Sequence, residues 1–457
     1  MNNGIISIDI MNYLNVTECE FQKEVNTHGI AKVKGYIDSS YLQMCESKST
    51  SEEWVSINEY HDGINEIIFS GLMNSFEIEY INGYHQVTIE IVGQTYQMDL
   101  VENTRIFQSD STTVSEISNI VGSVYGAQSK IGSNASGSLG HMSVQYMETD
   151  WNYLKRIASE KNTFIMPHYQ IEGCRYIIGQ LNEQRKSIET KNYRIKTRAM
   201  SYEDKMKNGV STSINDESQY IYTSTKVFEL GDSINFNGNS LYVYSVKGKL
   251  IKEEMIKEYV LKSKNGFNKK MVTNKNIIGL SFDGVVSSVN NDMISVDFNS
   301  YESYGSRSYK YATVYSTASG AGWYCMPEEG DTVRVYFPTE NENDSYAINS
   351  AHISMGDKSP STKFFRSPTN KEIVFSEKQI KITNNVGSSI VLDDDEGITI
   401  SSTKGVNISS DKNIDMTSST DKIVVSAASE VKLEQGDSSI TVNDNVKISG
   451  EQVHIQK

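Results

Sequence analysis

Eleven apolar dyads, each built from residues i and i+2, recur along the carboxyl-terminal fifth of the 457-residue chain. They are Ile373/Phe375, Ile380/Ile382, Ile390/Leu392, Ile398/Ile400, Val406/Ile408, Ile414/Met416, Ile423/Val425, Val431/Leu433, Ile440/Val442, Val446/Ile448 and Val453/Ile455. First members follow one another at intervals of 6 to 10 residues, most often 8. Within a dyad both side chains point to one face of a short extended segment. The Gly, Asn, Asp and Ser between dyads favour turns. A single strand of this kind cannot bury its own apolar face, so neighbours must stack to make a core. A disordered tail has no repeating burial face, and a single-chain solenoid uses a longer coil of several strands. One strand plus one turn per octad suits three chains wound about a common axis. The spacing therefore predicts an intertwined trimeric β-helix over 371–457.

Proline and the aromatic residues mark where this region begins. All five prolines (Pro167, Pro327, Pro338, Pro360 and Pro368) precede residue 369, and Phe375 is the sole aromatic beyond it. Ser359-Pro360-Ser361-Thr362 and Ser367-Pro368-Thr369-Asn370 read as a turn-rich linker over 354–370. With Gly counted in place of Tyr, apolar residues are about 38% of the chain, against the roughly 45–50% usual in soluble domains. That lean fraction fits an elongated, strand-rich object. The net charge of −15 argues against a protein that grips phosphate backbones, so no nucleic-acid partner is expected. No run approaches the 18 or so apolar residues of a membrane span. The start, Met1 to Ile10, lacks the basic and apolar regions of a signal peptide, so synthesis in the cytoplasm without ordinary export is expected. Cys19, Cys45, Cys174 and Cys325 are far apart and form no CxxC, so buried free thiols are expected rather than a zinc or redox pair.

Upstream, short strands at 277–280, 284–289, 293–298, 311–317, 332–337 and 346–353, separated by turn signals, suggest a small closed barrel of the OB type. Strands at 16–25, 29–37, 65–69, 75–80 and 86–92 form one earlier set; strands at 176–179, 220–229, 233–236 and 240–246 suggest another small barrel. Two helices lie between the sets. Thr113-Val114-Ser115-Glu116 is a capping box, followed by Val114, Ile117, Ile120, Val121 and Val124 on one face. A second helix, about Asp150–Lys161, carries Trp151, Leu154, Ile157 and Ala158 on one stripe. Residues 128–140 are rich in Ser and Gly and read as an exposed loop. The stretch 251–261 is ambiguous, since Ile251, Met255 and Tyr259 have helical spacing while the flanks look like strand.

Catalytic signatures do not appear. There is no GxSxG, HExxH or Walker loop, and Gly320-Ala321-Gly322 lacks the third glycine and the strand–helix context of a dinucleotide site. Asp393-Asp394-Asp395-Glu396-Gly397 resembles the start of a calcium loop, but Lys404 stands where a bidentate Glu is required. A solvated turn is the plainer reading of that cluster, with a loose cation site as the alternative. No catalytic residue and no cofactor is assigned. His454, in Val453-His454-Ile455, would ring the axis of a trimer in three copies; a metal there is the alternative to an ordinary outward side chain. Val453, His454 and Ile455 are also the candidate tip contacts.

Three blocks then resemble a known family. Ser143–Ile157, with Glu148-Thr149-Asp150-Trp151 at its centre, is similar to a motif in valine-glycine repeat protein G (VgrG) and related phage tail hub proteins. Ile106-Phe107-Gln108 with the capped helix resembles the block that precedes it. Ala318–Pro338, with Gly320-Ala321-Gly322-Trp323-Tyr324, resembles the family's OB-barrel signature. The resemblance spans nearly the whole chain in the order hub, barrel, octad β-helix. It implies a mainly β fold with a few helices: a first hub barrel over 1–110, a helical and loop segment over 111–175 and a second hub barrel over 176–274. An OB-fold barrel over 275–353, the linker and the needle over 371–457 would follow. It further implies a homotrimeric spike of a contractile injection system, whether phage tail, phage-like bacteriocin, or type VI or extracellular apparatus. Such a spike caps the inner tube, contacts baseplate proteins and punctures the target cell envelope. A small cone protein at the tip and a cargo effector are partners the family often has. Only about 20 residues separate the barrel from the first dyad, which leaves no room there for a lysozyme domain, so a mechanical rather than enzymatic role is expected. A β-helical tail spike acting on surface polysaccharide is the rival reading, and a tube adaptor without piercing function a second.

Overall fold

The structure is a computed structural model and describes residues 5–48, 53–61, 63–182, 185–349, 359–452 and 454. It divides into two compact units, 1–351 and 352–457.

The first unit is organised by a 12-stranded sheet. Along it lie, in order, Ile6–Ile8, Trp54–His61, Ile64–Ile81, Tyr84–Val92, Ile30–Ile37, Asn15–Glu24, Asn239–Ile251, Glu254–Lys262, Ser218–Ser224 and Arg194–Thr197. Ser233–Phe236 pairs with Asn239–Ile251 and, on its other side, with Arg185–Ile188. Alternate residues enter one core: Cys19 and Phe21, Ala31 and Val33, Val87, Ile89 and Ile91, then Val243, Val246, Tyr259 and Leu261. The two strand sets read separately in the sequence are thus joined, except for 176–179, whose strand Arg175–Ile178 lies in a separate three-stranded sheet with Ile165–Pro167 and Gln128–Ile131. The joint is the antiparallel pairing of Glu20–Glu24 with Ser245–Lys249, in which Gly248 stands opposite Phe21. A Cβ on Gly248 would collide with the Phe21 ring, itself buried, so the missing side chain is what lets the ring cross the joint. Gly248→Val is expected to cost about 1–3 kcal/mol through overpacking. Adding Phe21→Ala should not deepen that loss by the full cavity cost, a non-additivity readable in urea melts of the four-member cycle.

The ambiguous stretch is a hairpin. Lys252 and Glu253 both take positive φ, 47° and 66°, between Asn239–Ile251 and Glu254–Lys262. Pairing of the two arms overrides the helical spacing of Ile251, Met255 and Tyr259. Segments 65–69 and 75–80 are one strand, Ile64–Ile81, with an irregularity between Met73 and Ser75. Its first half pairs with Trp54–His61 and its second with Tyr84–Val92.

Helices Val114–Ser123 and Asp150–Glu160 pack with a second core. Thr113 Oγ1 accepts from the Glu116 N–H at 3.2 Å, while Glu116 Oε2 accepts from the Thr113 N–H at 2.7 Å, completing the capping box. Trp151, Leu154, Ile157 and Ala158 are all buried, as their stripe predicts. Residues 128–140 are not simply an exposed loop. Gln128–Ile131 is a strand parallel to Arg175–Ile178, and Ala135 and Leu139 enter the core. Two scattered apolar side chains in a Ser/Gly-rich stretch have no period to reveal them.

The remaining strands of this unit run in the order Ser308–Lys310, Met293–Asp297, Ser281–Asn290, Thr332–Tyr336 and Tyr346–Asn349. A parallel bridge from Tyr311 to Ala347, with the Ala312 N–H donating to the Ala347 carbonyl at 2.8 Å, draws the two outer strands together. Phe282, Val286, Ile294, Val296, Val333 and Val335 fill its interior with Ile106 and Val144 from the neighbouring strands. The strand expected at 311–317 does not form beyond that bridge. That segment belongs to an exposed loop over 311–331, in which Val314 and Tyr324 are 85% and 75% accessible.

In the second unit seven of the eleven dyads become rungs. Lys363–Arg366, Glu372–Phe375, Gln379–Thr383, Ser388–Asp393 and Gly397–Ser402 form an antiparallel meander; Val431–Gln435, Ser438–Val442 and Val446–Ser449 form another. Backbone hydrogen bonds in these meanders join successive rungs of one chain. That differs from the expected sharing of rungs between chains. Residues 403–430 carry no strand.

Candidate assembly interface

Cross-strand register collects the dyads into two rows. Ile373, Ile382, Ile390 and Ile400 are direct neighbours in succession, and so are Phe375, Ile380, Leu392 and Ile398. Val431 faces Val442 and Leu433 faces Ile440, which in turn faces Ile448. Turns keep the register: Asn384 Oδ1 accepts from the N–H groups of Val386 and Ser388, each at 3.0 Å, and Asn385 has a φ of 54°. These rows stay open in one chain. Among the described dyad residues only Val431 falls below the exposed class, and Ile398 and Ile408 reach 72% and 75%. Contiguous apolar surface on this scale marks an interface rather than a solvated face. At 406–425 the side chains of three dyads and the backbone between them lie open.

The candidate tip is only partly within view. Val453 and Ile455 lie outside the described residues. His454 is exposed, and its Nε2 lies 3.1 Å from Gln452 Oε1. No group of three or more His, Cys, Asp or Glu that could hold a metal occurs among the described residues. The acidic cluster is a turn: Asp393 Oδ1 accepts from the N–H groups of Asp395 and Glu396, each at 3.0 Å, while Lys378 Nζ meets Asp395 at 2.6 Å. Cys19, Cys45 and Cys174 are buried as expected, but Cys325 is exposed in the 311–331 loop. Burial pushes the Cys45 thiol up to about 11 and Cys174 up to about 12, so both stay protonated.

Two buried charge clusters fasten the first unit internally, and no sequence pattern pointed to them. Asp150, fully buried, accepts from Arg105 Nη1 at 2.5 Å, Gln145 Nε2 at 2.8 Å, Tyr125 Oη at 3.0 Å and Asn103 Nδ2 at 3.1 Å. Arg105 Nε also reaches Glu302 at 2.6 Å, beside the parallel pairing of Glu302–Tyr304 with Arg105–Phe107. Arg156 is the second hub. It lies 3.2 Å from Glu148, 3.5 Å from Glu160 and 3.3 Å from Glu342, and its Nη2 donates to the Val144 carbonyl at 2.7 Å. Glu342 comes from the short turn before Tyr346–Asn349, so one guanidinium ties the Trp151 helix to the 281–349 strands.

The Arg156 cluster has a definite pH response. His141 is raised above its ordinary value, chiefly by its hydrogen bond to Glu160, while Glu148 and Glu342 are raised by burial against the attraction of Arg156. A group whose folded value is raised stabilises the fold below its unfolded value and loses that contribution as pH rises through the folded one. All three therefore favour mild acid. Their joint contribution is expected to grow as pH falls from 8 to about 5, opposed by His168, which burial lowers and which favours the upper end of that range. Lowered carboxyls such as Asp99, Asp216 and Glu116 then reverse the trend as pH falls further. Urea midpoints of the wild type and of Glu148→Gln with Glu342→Gln across that range read the effect, and parallel profiles would contradict it. His141→Gln should remove the upper part of the slope.

Residues 51–219 match the phage tail baseplate hub family (GPD). Among solved structures the chain is similar to the E. coli c3393 protein, a component of the type VI secretion system with structural similarity to T4 bacteriophage tail proteins gp27 and gp5. There the TM-score is 0.52 at 11% identity, over 75% of this chain and 98% of that one. It is also similar to the Francisella PdpA–VgrG complex in its half-lidded form, at a TM-score of 0.53 and 10% identity over 87% of this chain and 88% of that chain. At such identities the likeness is one of fold. No curated protein matches the sequence.

Proposed function

We propose, from the hub-family match over 51–219 and the likeness of fold to a type VI secretion component and a VgrG complex, that the chain is the trimeric central hub and spike of a contractile injection system. Three copies cap the inner tube through the 12-stranded sheets and puncture the target envelope with the rungs. The observation that carries this reading is the pair of apolar rows left open in one chain, Ile373–Ile400 and Phe375–Ile398. Three such faces turned to a common axis bury one another, and the open backbone of 403–430 then finds ladder partners in other copies. Absence of Pro after 368 leaves every amide available to such ladders. The ring order of the 281–349 strands, first-second-third-fifth-fourth with a parallel closure, supports an OB barrel between hub and spike. The role is mechanical: sheath contraction supplies the work, and the protein acts after assembly into a particle, outside the producing cell or at the target envelope. Baseplate and tube proteins are its partners, with a cone protein or cargo attached at the tip.

Light scattering on the full chain tests this. A mass of three copies at micromolar concentration, falling on removal of 371–457, is expected; a monomeric full chain overturns it. Saccharide release from cell-wall or capsular polysaccharide would favour the tail-spike reading instead.

A further inference from the structure

Among the described residues several strands of the 12-stranded sheet keep an open edge, Ile6–Ile8 and Arg185–Ile188 among them, and two of these edges carry opposite charge. Arg194–Thr197 ends the sheet, paired only with Ser218–Ser224 among the described residues. It lies in a basic stretch, Arg185 to Arg198, within a chain of net charge −15. All four of its residues are exposed. The second open edge comes from the Ile64–Ile81 strand. Its partner Trp54–His61 reaches Leu72, with one further bond from the Met73 N–H to the Glu53 carbonyl, so among the described residues 75–81 pair on one side only, with Tyr84–Glu90. On that half Glu77 and Glu79 are exposed, while Phe76 and Ile78 lean on the core.

Open edges invite a further strand, and these two match residue by residue. Arg194 and Lys196 share one face of their strand, as Glu77 and Glu79 share one face of theirs. Ile195, 50% accessible and opposite the half-buried Tyr220, stands on the core side, as Ile78 does. Setting Ile195 beside Ile78 brings Arg194 and Lys196 against Glu77 and Glu79 in either strand direction, apolar on one face and ion-paired on the other. Pairing either edge with its own counterpart would oppose like charges, which is unfavourable. We propose that Arg194–Thr197 of one copy adds as a strand to residues 75–81 of the next, Ile195 beside Ile78. The contact is head-to-tail, and such contacts generate closed rings when the rotation closes. It rests on the trimeric hub reading above and adds a short inter-copy contact within the hub that acts together with the rungs rather than in their place.

Disulfide trapping in the full chain tests the register. In a Cys325→Ser background, which removes the exposed thiol, Ile78→Cys and Ile195→Cys are combined and oxidised mildly. Cross-strand neighbours lie close enough for a disulfide. A covalent trimer on non-reducing gels, absent from either single variant, is expected. Adding Glu77→Lys and Glu79→Lys should cut its yield at least tenfold, and Arg194→Glu with Lys196→Glu should restore it. A trimeric mass without interchain disulfide overturns the edge pairing and leaves the trimeric reading standing. Interchain disulfide in the Ile195→Cys variant alone overturns the head-to-tail register. A monomeric mass in the Cys325→Ser parent overturns both.

Discussion

Ile382→Asp combined with Ile390→Asp is expected to break the assembled protein into single copies while leaving the first unit folded. The two residues are direct neighbours in one row, 45% and 39% accessible in a single chain. Full burial of such a side chain is worth about 1.5–3 kcal/mol, and roughly half of that is already realised within the meander. Association should therefore add about 1 kcal/mol each, or about 6 kcal/mol over six side chains in three copies. Forcing six carboxylates into the same space turns that gain into a penalty larger than the gain itself. Sedimentation at micromolar concentration should show one copy in place of three. Near-ultraviolet dichroism of the buried Trp151 and Tyr153 should not change. Ser389→Asp and Ser401→Asp, which face each other next to Ile390 and Ile400 but on the opposite side of the strands, form the control and should leave the mass intact.

Arg156→Ala is expected to be the most damaging single change in the first unit, at about 3–5 kcal/mol. Removing the guanidinium leaves Glu148, Glu160 and Glu342 facing one another with their shared cation gone. It also strips the Val144 carbonyl of its donor. Urea unfolding at pH 7.5 measures the loss. The deficit should shrink toward pH 5, because the raised carboxyls Glu148 and Glu342 take up protons there and no longer need the cation. A deficit below about 1 kcal/mol at pH 7.5 would mean that the carboxylates find other partners.

What the sequence made legible follows from periodicity. The i, i+2 dyads and the helix at 150–160 each place side chains of one kind on one face, and that regularity survives without knowledge of neighbours. The Thr113–Glu116 box was readable because its partners are three residues apart. Long-range pairing left no such trace. Nothing local says that Glu20–Glu24 meets Ser245–Lys249, or that Lys23, in line with Cys19 and Phe21 on the inward face, meets Glu229 at 2.5 Å. Lys257 and Glu59, 2.6 Å apart, are equally hidden. A buried lysine looks like a solvated one until its carboxylate, contributed from some 200 residues away, is in place. The candidate surface divides in the same way. Its rows were visible as dyads, whereas the clusters about Arg105 and Arg156 depend on residues drawn from four separate elements.

The stretch 403–430 sets the order of biogenesis. Its amides find no ladder among the described residues of one chain, while the strands of the 12-stranded sheet pair within their own chain. On the trimeric reading, the amino-terminal unit and the paired rungs can form chain by chain, whereas 403–430 must wait for encounter. Maturation of that region becomes a concentration-dependent event, slow in dilute solution and hastened wherever nascent chains from one message emerge side by side.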